Sequence, residues 1–177
     1  MKDFLYQTIA NSTAHRKSRD IVKSIVIEQP ILLHELLQIA FNIEDKNNIK
    51  ACWVLELVCE EKIIIFIPYI DLFCSSLYLI SDESALRSIS KICLFLSKSK
   101  KIVLTHLQEE KIIECCFDCL IKTNKAANAA YSMRSLYILS LKHIWIKEEL
   151  RAILTRDISD KTPGYCFAVK DILKRLK

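Results

Sequence analysis

Glycine is almost absent from this chain. Gly164 is its one glycine among 177 residues, and Pro30, Pro68 and Pro163 are its three prolines. All-β domains need turn residues roughly every 8 to 12 positions, and these are missing here. A glycine-rich loop that cradles phosphate is excluded for the same reason. We therefore predict an all-α fold.

Long hydrophobic runs are also lacking, and we expect no secretory leader. The longest apolar run, Ile63 to Ile70, is much shorter than the roughly 20 residues of a membrane span. The start, Met1-Lys2-Asp3, is charged and carries no apolar signal region. The eight cysteines lie mostly within apolar helical stretches, which is typical of a reducing compartment. We expect a cytoplasmic protein with no membrane partner.

The overall composition is that of a globular domain. Hydrophobic residues make up 51% of the chain and charged residues 27%. A chain of 177 residues can bury roughly 70% of its unfolded surface, so one continuous domain over 1–177 is predicted. The net charge of +5 is modest, whereas nucleic-acid-binding domains usually carry a stronger basic stripe.

Helical periodicity divides this domain into an N-terminal helical cap and four helical hairpins. Pro30 suits the first position of a helix, where a missing N–H costs nothing. Asp45, Asp82 and Asn124 suit N-caps, and Ser81 is an alternative to Asp82. The predicted boundaries are a cap at 1–28 and hairpins at 30–61, 67–97, 106–141 and 147–176, with 63–67 as a loop.

An apolar residue followed directly by a basic one recurs along the chain, at Ile49-Lys50, Leu86-Arg87, Met133-Arg134 and Val169-Lys170. The steps between the basic positions are 37, 47 and 36 residues. A unit that recurs at this spacing in a helical chain indicates stacked helical hairpins. Such stacks usually act through their surface rather than through a catalytic pocket.

The units around the first two pairs resemble the HEAT repeat family. The clearest contains, in order, Pro68, Leu72, Phe73, Leu77, Asp82, Leu86-Arg87, Ile89, Cys93 and Leu96. A similar unit is Pro30, Leu33, Leu36, Asp45, Ile49-Lys50 and Trp53. The third and fourth units match less fully. The resemblance covers roughly residues 30–176. It implies a right-handed α-α superhelix of about four hairpins, a HEAT-like solenoid.

The same resemblance implies a structural ladder. In HEAT repeats an aspartate at the turn and a basic residue on the second helix can pair between neighbouring repeats. The residues that match these positions are Asp45, Asp82, Lys50, Arg87 and Arg134. The alternative is that these side chains are independent surface charges.

The chain is also similar to a group of short bacterial HEAT-like proteins, through Ala130-Tyr131-Ser132-Met133, Leu136-Tyr137 and Asp171-Ile172-Leu173-Lys174. Some members of that group carry the label adenylosuccinate lyase, so a small lyase is a remote alternative function. Lyases of that family depend on a glycine-bearing loop with Ser, Met, Pro and Lys. This chain contains no such segment.

A surface that binds other proteins is the predicted function. The resemblance implies a non-catalytic interaction or scaffold module whose second helices line a concave face, with an unknown protein or a second copy as partner. We expect no catalytic residue, cofactor or metal. The residues expected to bind are Lys50, Glu56, Glu60, Arg87, Lys91, Asn128 and Arg134, together with Trp145 as an exposed aromatic contact.

Nucleic-acid binding is the alternative, as in the DNA alkylation repeat relatives of HEAT proteins. Such binding depends on phosphate contacts and weakens steeply with salt. The basic residues that would make these contacts are Arg16, Arg19, Lys91, Lys98, Lys100 and Lys101.

Cys115, Cys116 and Cys119 form the one cluster with metal-ligand character. A zinc site needs four ligands, usually two separated pairs, and no second pair matches here. His106 is the nearest histidine. Core packing is therefore the preferred interpretation. Trp53 is also predicted to pack in the core, with an anchor for a ligand or partner as the alternative.

Overall fold

The computed structural model describes residues 2–123, 125–156 and 158–177. Within these ranges the chain is helical between loops and contains no β-strand, which confirms the all-α prediction. Two 3-10 helices, Ile63–Tyr69 and Leu77–Leu79, flank α5. The α-helices are α1 (Lys2–Asn11), α2 (Arg16–Glu28), α3 (Leu32–Phe41), α4 (Asn48–Lys62), α5 (Ile70–Ser76), α6 (Glu83–Lys98), α7 (His106–Lys122), α8 (Ala126–Leu139), α9 (Ile144–Leu154) and α10 (Pro163–Arg175).

The even-numbered helices form a row. Each of α4, α6 and α8 contacts the even-numbered helix before it and the one after it. Most of the odd-numbered helices pack on this row, with α3 on α4, α7 on α6 and α8, and α9 on α8, whereas α5 packs on α7. Within the row α4 and α6 run parallel, because the residue numbers on both helices rise together in the bonded pairs Trp53–Ser84, Glu56–Ser88 and Glu60–Lys91.

Helix α4 lies at the centre of the core. It contacts α2, α3 and α6, and apolar residues occupy most of its circumference. A helix that is apolar on most sides must be covered on several sides. Its buried apolar side chains are Ala51, Cys52, Val54, Leu55, Leu57, Val58 and Cys59.

The segment after α4 is a 3-10 helix, so the prediction of a loop at 63–67 is wrong. Pro68 lies inside this 3-10 helix and does not open α5, which begins at Ile70. Phe66 is fully buried and packs edge-on against Phe73, with 5.4 Å between the ring centroids. Burial of this aromatic ring stabilises a tight helical turn where the chain would otherwise pass through solvent.

The two aspartates predicted as caps have different roles. The Asp82 carboxylate accepts the N–H groups of Ser84 and Ala85 at 2.8 and 2.9 Å, which confirms it as the N-cap of α6. Asp45 is not the cap of α4. Its carboxylate accepts the N–H of Asn47 within the preceding turn, at 2.8 Å.

Three other predicted landmarks differ in position. Pro30 precedes α3 by two residues, and its carbonyl accepts the N–H of Leu33 in a turn. Helix α9 begins before position 147, because the N–H of Ile146 already bonds to the His143 carbonyl and closes a first turn. Asn124, predicted to cap α8, lies outside the described residues.

One helical stretch of the described chain, Asn48–Leu79, is long and apolar enough to cross a membrane by length and composition alone. Its most apolar window has a mean hydropathy of 1.6, and 33% of that window is buried. Core helices of folded proteins pass the same test, and the α4 part of this stretch is such a helix. The expectation of no membrane partner stays a prediction.

Replacing Asp82 by alanine should lower the free energy of unfolding by about 1 kcal/mol, because two amides of the first turn of α6 lose their acceptor. Urea unfolding followed by circular dichroism measures this change. Ser81→Ala is the matched control, and we expect it to change stability by less than about 0.5 kcal/mol. Equal losses in the two variants would show that Asp82 is not the cap.

Candidate functional site

Glu56 is a carboxylate buried between α4 and α6, with 2% of its surface exposed. Its Oε2 accepts hydrogen bonds from Arg87 Nη1 at 3.2 Å and from Ser88 Oγ at 2.7 Å. Lys91 Nζ donates to Glu56 Oε1 at 2.8 Å and to Glu60 Oε1 at 3.1 Å. A buried charge is tolerated when it is both paired and hydrogen-bonded. The Glu56 carboxylate meets both conditions.

The ion pairs around Glu56 extend to α2. Burial lowers the pKa of Lys91, but its bonds to Glu56 and Glu60 outweigh this effect, and the pKa is raised. Arg16 on α2 lies 3.5 Å from Glu60 and 3.1 Å from Asp20. Helices α2, α4 and α6 are therefore joined by one charge network, the Glu56 network, which comprises Arg16, Asp20, Glu56, Glu60, Arg87, Ser88 and Lys91.

Most residues predicted to bind a partner on the second helices are engaged within the protein. Glu56 and Asn128, predicted to bind a partner on an exposed face, are both buried, and their side chains bond to residues of α6 instead. The Lys50 ammonium donates to the carbonyl of Ala10. Arg134 is exposed. The row of even-numbered helices thus offers fewer free charges than the sequence suggested.

The predicted ladder of aspartates and basic residues is not formed among the described residues. Asp45 accepts a bond from the Tyr6 hydroxyl at 3.3 Å, and Asp82 caps its own helix. Arg87 bonds to Glu56 instead of to an aspartate. An aspartate side chain is short, so at the start of a helix it reaches the local amides. The longer side chain of Glu56 reaches the next helix.

Glu83, at the start of α6, forms a second junction between helices. Its carboxylate accepts a bond from Thr123 Oγ1 at 2.8 Å and one from Asn128 Nδ2 at 2.6 Å. Asn128 also donates to the backbone carbonyl of Glu83 at 3.0 Å. These bonds explain the burial of Asn128 and attach the region between α7 and α8 to α6.

Glu109, on α7, forms a third junction. It is 5% exposed, and its two carboxylate oxygens lie 2.6 Å from Lys142 Nζ and 2.7 Å from His143 Nε2. Burial raises the pKa of Glu109, but the bonds to Lys142 and His143 outweigh it, and the pKa is lowered. Both partners lie in the turn between α8 and α9. Glu109 therefore fixes this turn against α7.

The turn fixed by Glu109 leads into an exposed aromatic side chain. Trp145 is 53% exposed and stacks on Phe117 of α7, with 6.1 Å between the ring centroids and 27° between the ring planes. Ile121 lies one turn after Phe117 and is 67% exposed. Leu141, in the turn, and Ile144, the first residue of α9, are 71% and 75% exposed. We call these five residues the Trp145 surface.

The Trp145 surface was only partly predictable. Trp145 was selected by its residue type, and its four apolar neighbours were missed. The available signal was Ile121, an apolar residue outside the buried stripe of α7. A clustered set of exposed large apolar side chains usually marks an interaction site, whereas single ones are common on any surface.

Several of the basic residues predicted to contact nucleic acid are already engaged within the protein. Arg16 and Lys91 belong to the Glu56 network. The Arg19 guanidinium lies 5.6 Å above the ring of Trp53, which is half-buried between helices instead of fully packed in the core. Trp53 Nε1 also donates to Ser84 Oγ at 3.1 Å. The other three, at or after the end of α6, are Lys98, Lys100 and Lys101.

The predicted cysteine cluster lies mostly in the core. Cys116 and Cys119 are buried, and Cys115 is half-buried. In the part of the chain that the structure describes, no group of three or more His, Cys, Asp and Glu side chains is arranged to hold a metal ion.

Comparison with known proteins gives this chain no family. No protein-family model matches it, and neither the curated proteins nor the solved structures include a match. The resemblance to HEAT repeats therefore stays a prediction from the pattern of residues. The function has to be inferred from the geometry of the surface.

Replacing Glu56 by alanine should lower the free energy of unfolding by about 3 kcal/mol or more, because Lys91 and Ser88 would keep their buried positions without the carboxylate. Urea denaturation measures the loss. Glu60→Ala is the control, since Glu60 is partly exposed and its pairs should contribute about 1 kcal/mol or less. A Glu56→Ala loss no greater than the Glu60→Ala loss would contradict this role.

The contribution of Glu109 should depend on pH. Its folded pKa lies below the ordinary value of 4.5, so the ionised form stabilises the fold above that value. This stabilisation is lost as the pH falls through the lowered folded pKa. We expect Glu109→Gln to be less stable than the wild type by about 1 to 2 kcal/mol at neutral pH, and the difference to shrink below pH ~4.

Chemical denaturation at a series of pH values measures this difference for Glu109→Gln. The exposed Glu148→Gln serves as the control and should differ little from the wild type at any pH. A difference for Glu109→Gln that stays constant across the acid range would show that the charge of Glu109 is not what stabilises the turn.

Proposed function

We propose that this protein is a non-catalytic protein-interaction module that binds its partner through the Trp145 surface. The observation that supports this proposal is the exposed Trp145 ring stacked on Phe117 of α7, with exposed apolar side chains on the same helix and in the adjoining turn and start of α9. Tryptophan is enriched among the residues that dominate binding energy at protein interfaces. When a partner covers large apolar side chains, they leave the water and the free energy of the system falls.

Rigidity of this surface also supports the proposal. Trp145 is held by its stacking on Phe117, and the turn before it is held by Glu109. A contact surface that is ordered before binding loses less conformational entropy when the partner arrives. Lys122 and Asp118, on the same helix as Phe117 and Ile121, are already paired with each other at 2.6 Å. These features favour a partner that presents an apolar segment.

We further propose that the row of even-numbered helices is the inner layer of a HEAT-like right-handed superhelix. Two observations support this arrangement: the contacts of each even-numbered helix with the next, and the parallel direction of α4 and α6. Successive hairpins of a solenoid have this relation to one another. In that arrangement the Glu56 network would stabilise the inner layer instead of binding a partner.

The nucleic-acid alternative receives less support. Binding of nucleic acid needs free basic side chains that can neutralise several phosphates. Arg16 and Lys91 are paired with carboxylates, and Lys98 lies 5.3 Å from the ring of Phe95. These pairings leave few of the six predicted basic residues available for phosphate contacts. No observation favours the remote alternative, a small enzyme.

The proposal predicts that Trp145→Ala strongly weakens partner binding while the fold stays intact. Wild type and variant are compared by quantitative affinity capture from cell extract, followed by titration of the purified partner. Loss of a central aromatic contact should weaken binding by roughly 30-fold or more. Light scattering across a range of concentrations tests a second copy of the chain as the partner.

Phe4→Ala is the matched control, because Phe4 on α1 is 57% exposed, close to the value for Trp145. Proteins that depend on the Trp145 surface should be retained by the wild type and by Phe4→Ala but lost from Trp145→Ala. If every captured protein, and any self-association, is unaffected by Trp145→Ala, the proposed function is wrong.

A further inference from the structure

A groove of about 640 Å³ lies between α7 and the segment that runs from α5 to the start of α6. Ligand sites in proteins are typically clefts of roughly 300 to 1,000 Å³ with mostly apolar walls and a few polar groups. Burial raises the pKa of the Cys74 and Cys119 thiols in this groove to about 12, so both are neutral near pH ~7. The uncharged walls that can hold an apolar ligand body are Cys74, Leu77, Ile80, Leu86, Cys115 and Cys119.

The charged side chains of α7 that line this groove neutralise one another. Lys111 Nζ lies 2.9 Å from Glu114 Oε2, and Lys122 Nζ lies 2.6 Å from Asp118 Oδ2. Glu83, at the start of α6, is the remaining charged side chain among the described residues that line the groove. The net charge of the groove is therefore that of the Glu83 carboxylate.

The Glu83 carboxylate has capacity for a further hydrogen-bond donor. Its Oε2 accepts bonds from Thr123 Oγ1 at 2.8 Å and from Asn128 Nδ2 at 2.6 Å, whereas its Oε1 accepts the longer bond from Thr123, at 3.1 Å. Both donors are neutral, and within the described ranges this carboxylate forms no ion pair with Lys, Arg or His. An ionised carboxylate offers about four acceptor sites. A cationic donor at Oε1 would fill one of them and neutralise the charge.

We propose that this groove is a binding site for a small organic amine, whose ammonium group donates to Glu83 and whose apolar body lies along the uncharged walls. A hydrogen bond between two ionised groups is roughly twice as strong as one between neutral groups. An anionic ligand of the same shape would be repelled by Glu83. The proposal is independent of the Trp145 surface, because none of the five residues of that surface lines the groove.

The test uses two probes of similar shape and opposite charge. Tryptamine carries an ammonium group on an apolar indole, and indole-3-propionate carries a carboxylate on the same ring. Each probe is titrated into the isotope-labelled wild-type protein, and the changes in the amide resonances measured by NMR give both the location and the affinity of binding. We expect tryptamine to shift amides along the groove and to bind roughly 10-fold or more tightly than indole-3-propionate.

Glu83→Gln removes the charge but keeps an amide oxygen that can accept the bonds from Thr123 and Asn128. We expect this variant to bind tryptamine roughly 10-fold or more weakly and to lose most of the preference for tryptamine over indole-3-propionate. Glu114→Gln is the matched control, because Glu114 lines the same groove but is already paired with Lys111. Its affinity for tryptamine should change by less than about 3-fold.

Three results with the wild type alone would overturn the proposal, whether or not the Glu83 variant folds. Tryptamine could give no saturable shift, it could shift the amides of the Trp145 surface instead of the groove, or the two probes could bind equally well. Equal losses of tryptamine affinity in Glu83→Gln and Glu114→Gln would also overturn it.

Discussion

Three glutamates, Glu56, Glu83 and Glu109, connect separate segments of the helical chain. Each carboxylate is directed at a later segment of the chain, and its hydrogen-bond donors lie on that segment. Apolar packing could bring the same helices together at several registers, because apolar contacts are not directional. A buried carboxylate tolerates only the register in which its donors are in place. The glutamates thus select one arrangement of the packed helices.

These junctions also determine which surface is free to act. The Glu56 network satisfies its own charges within α2, α4 and α6. The Glu109 junction instead fixes a turn, and Trp145, which follows this turn, stays exposed and stacked on Phe117. A buried carboxylate therefore stabilises the contacts between α2, α4 and α6 in the first case and orders an exposed surface in the second.

Local features could be predicted from the sequence and spatial ones could not. The scarcity of glycine and the cap at Asp82 depend on nearby residues, so the helical class and the start of α6 followed from the sequence. The burial of Glu56 did not, because its partners on α6 lie 31 to 35 positions away along the chain. The contact of Trp145 with Phe117 was missed for a similar reason, since the two rings meet only after α7 and α9 have both packed on α8.

A double-mutant cycle between Glu56 and Lys91 tests the role of the glutamate junctions most directly. The free energies of unfolding of the wild type, Glu56→Gln, Lys91→Met and the double variant give the coupling between the two side chains. If the buried carboxylate fixes the register of α4 and α6, the coupling should exceed about 1.5 kcal/mol. A coupling below about 0.5 kcal/mol, the size expected of an exposed pair, would contradict that role.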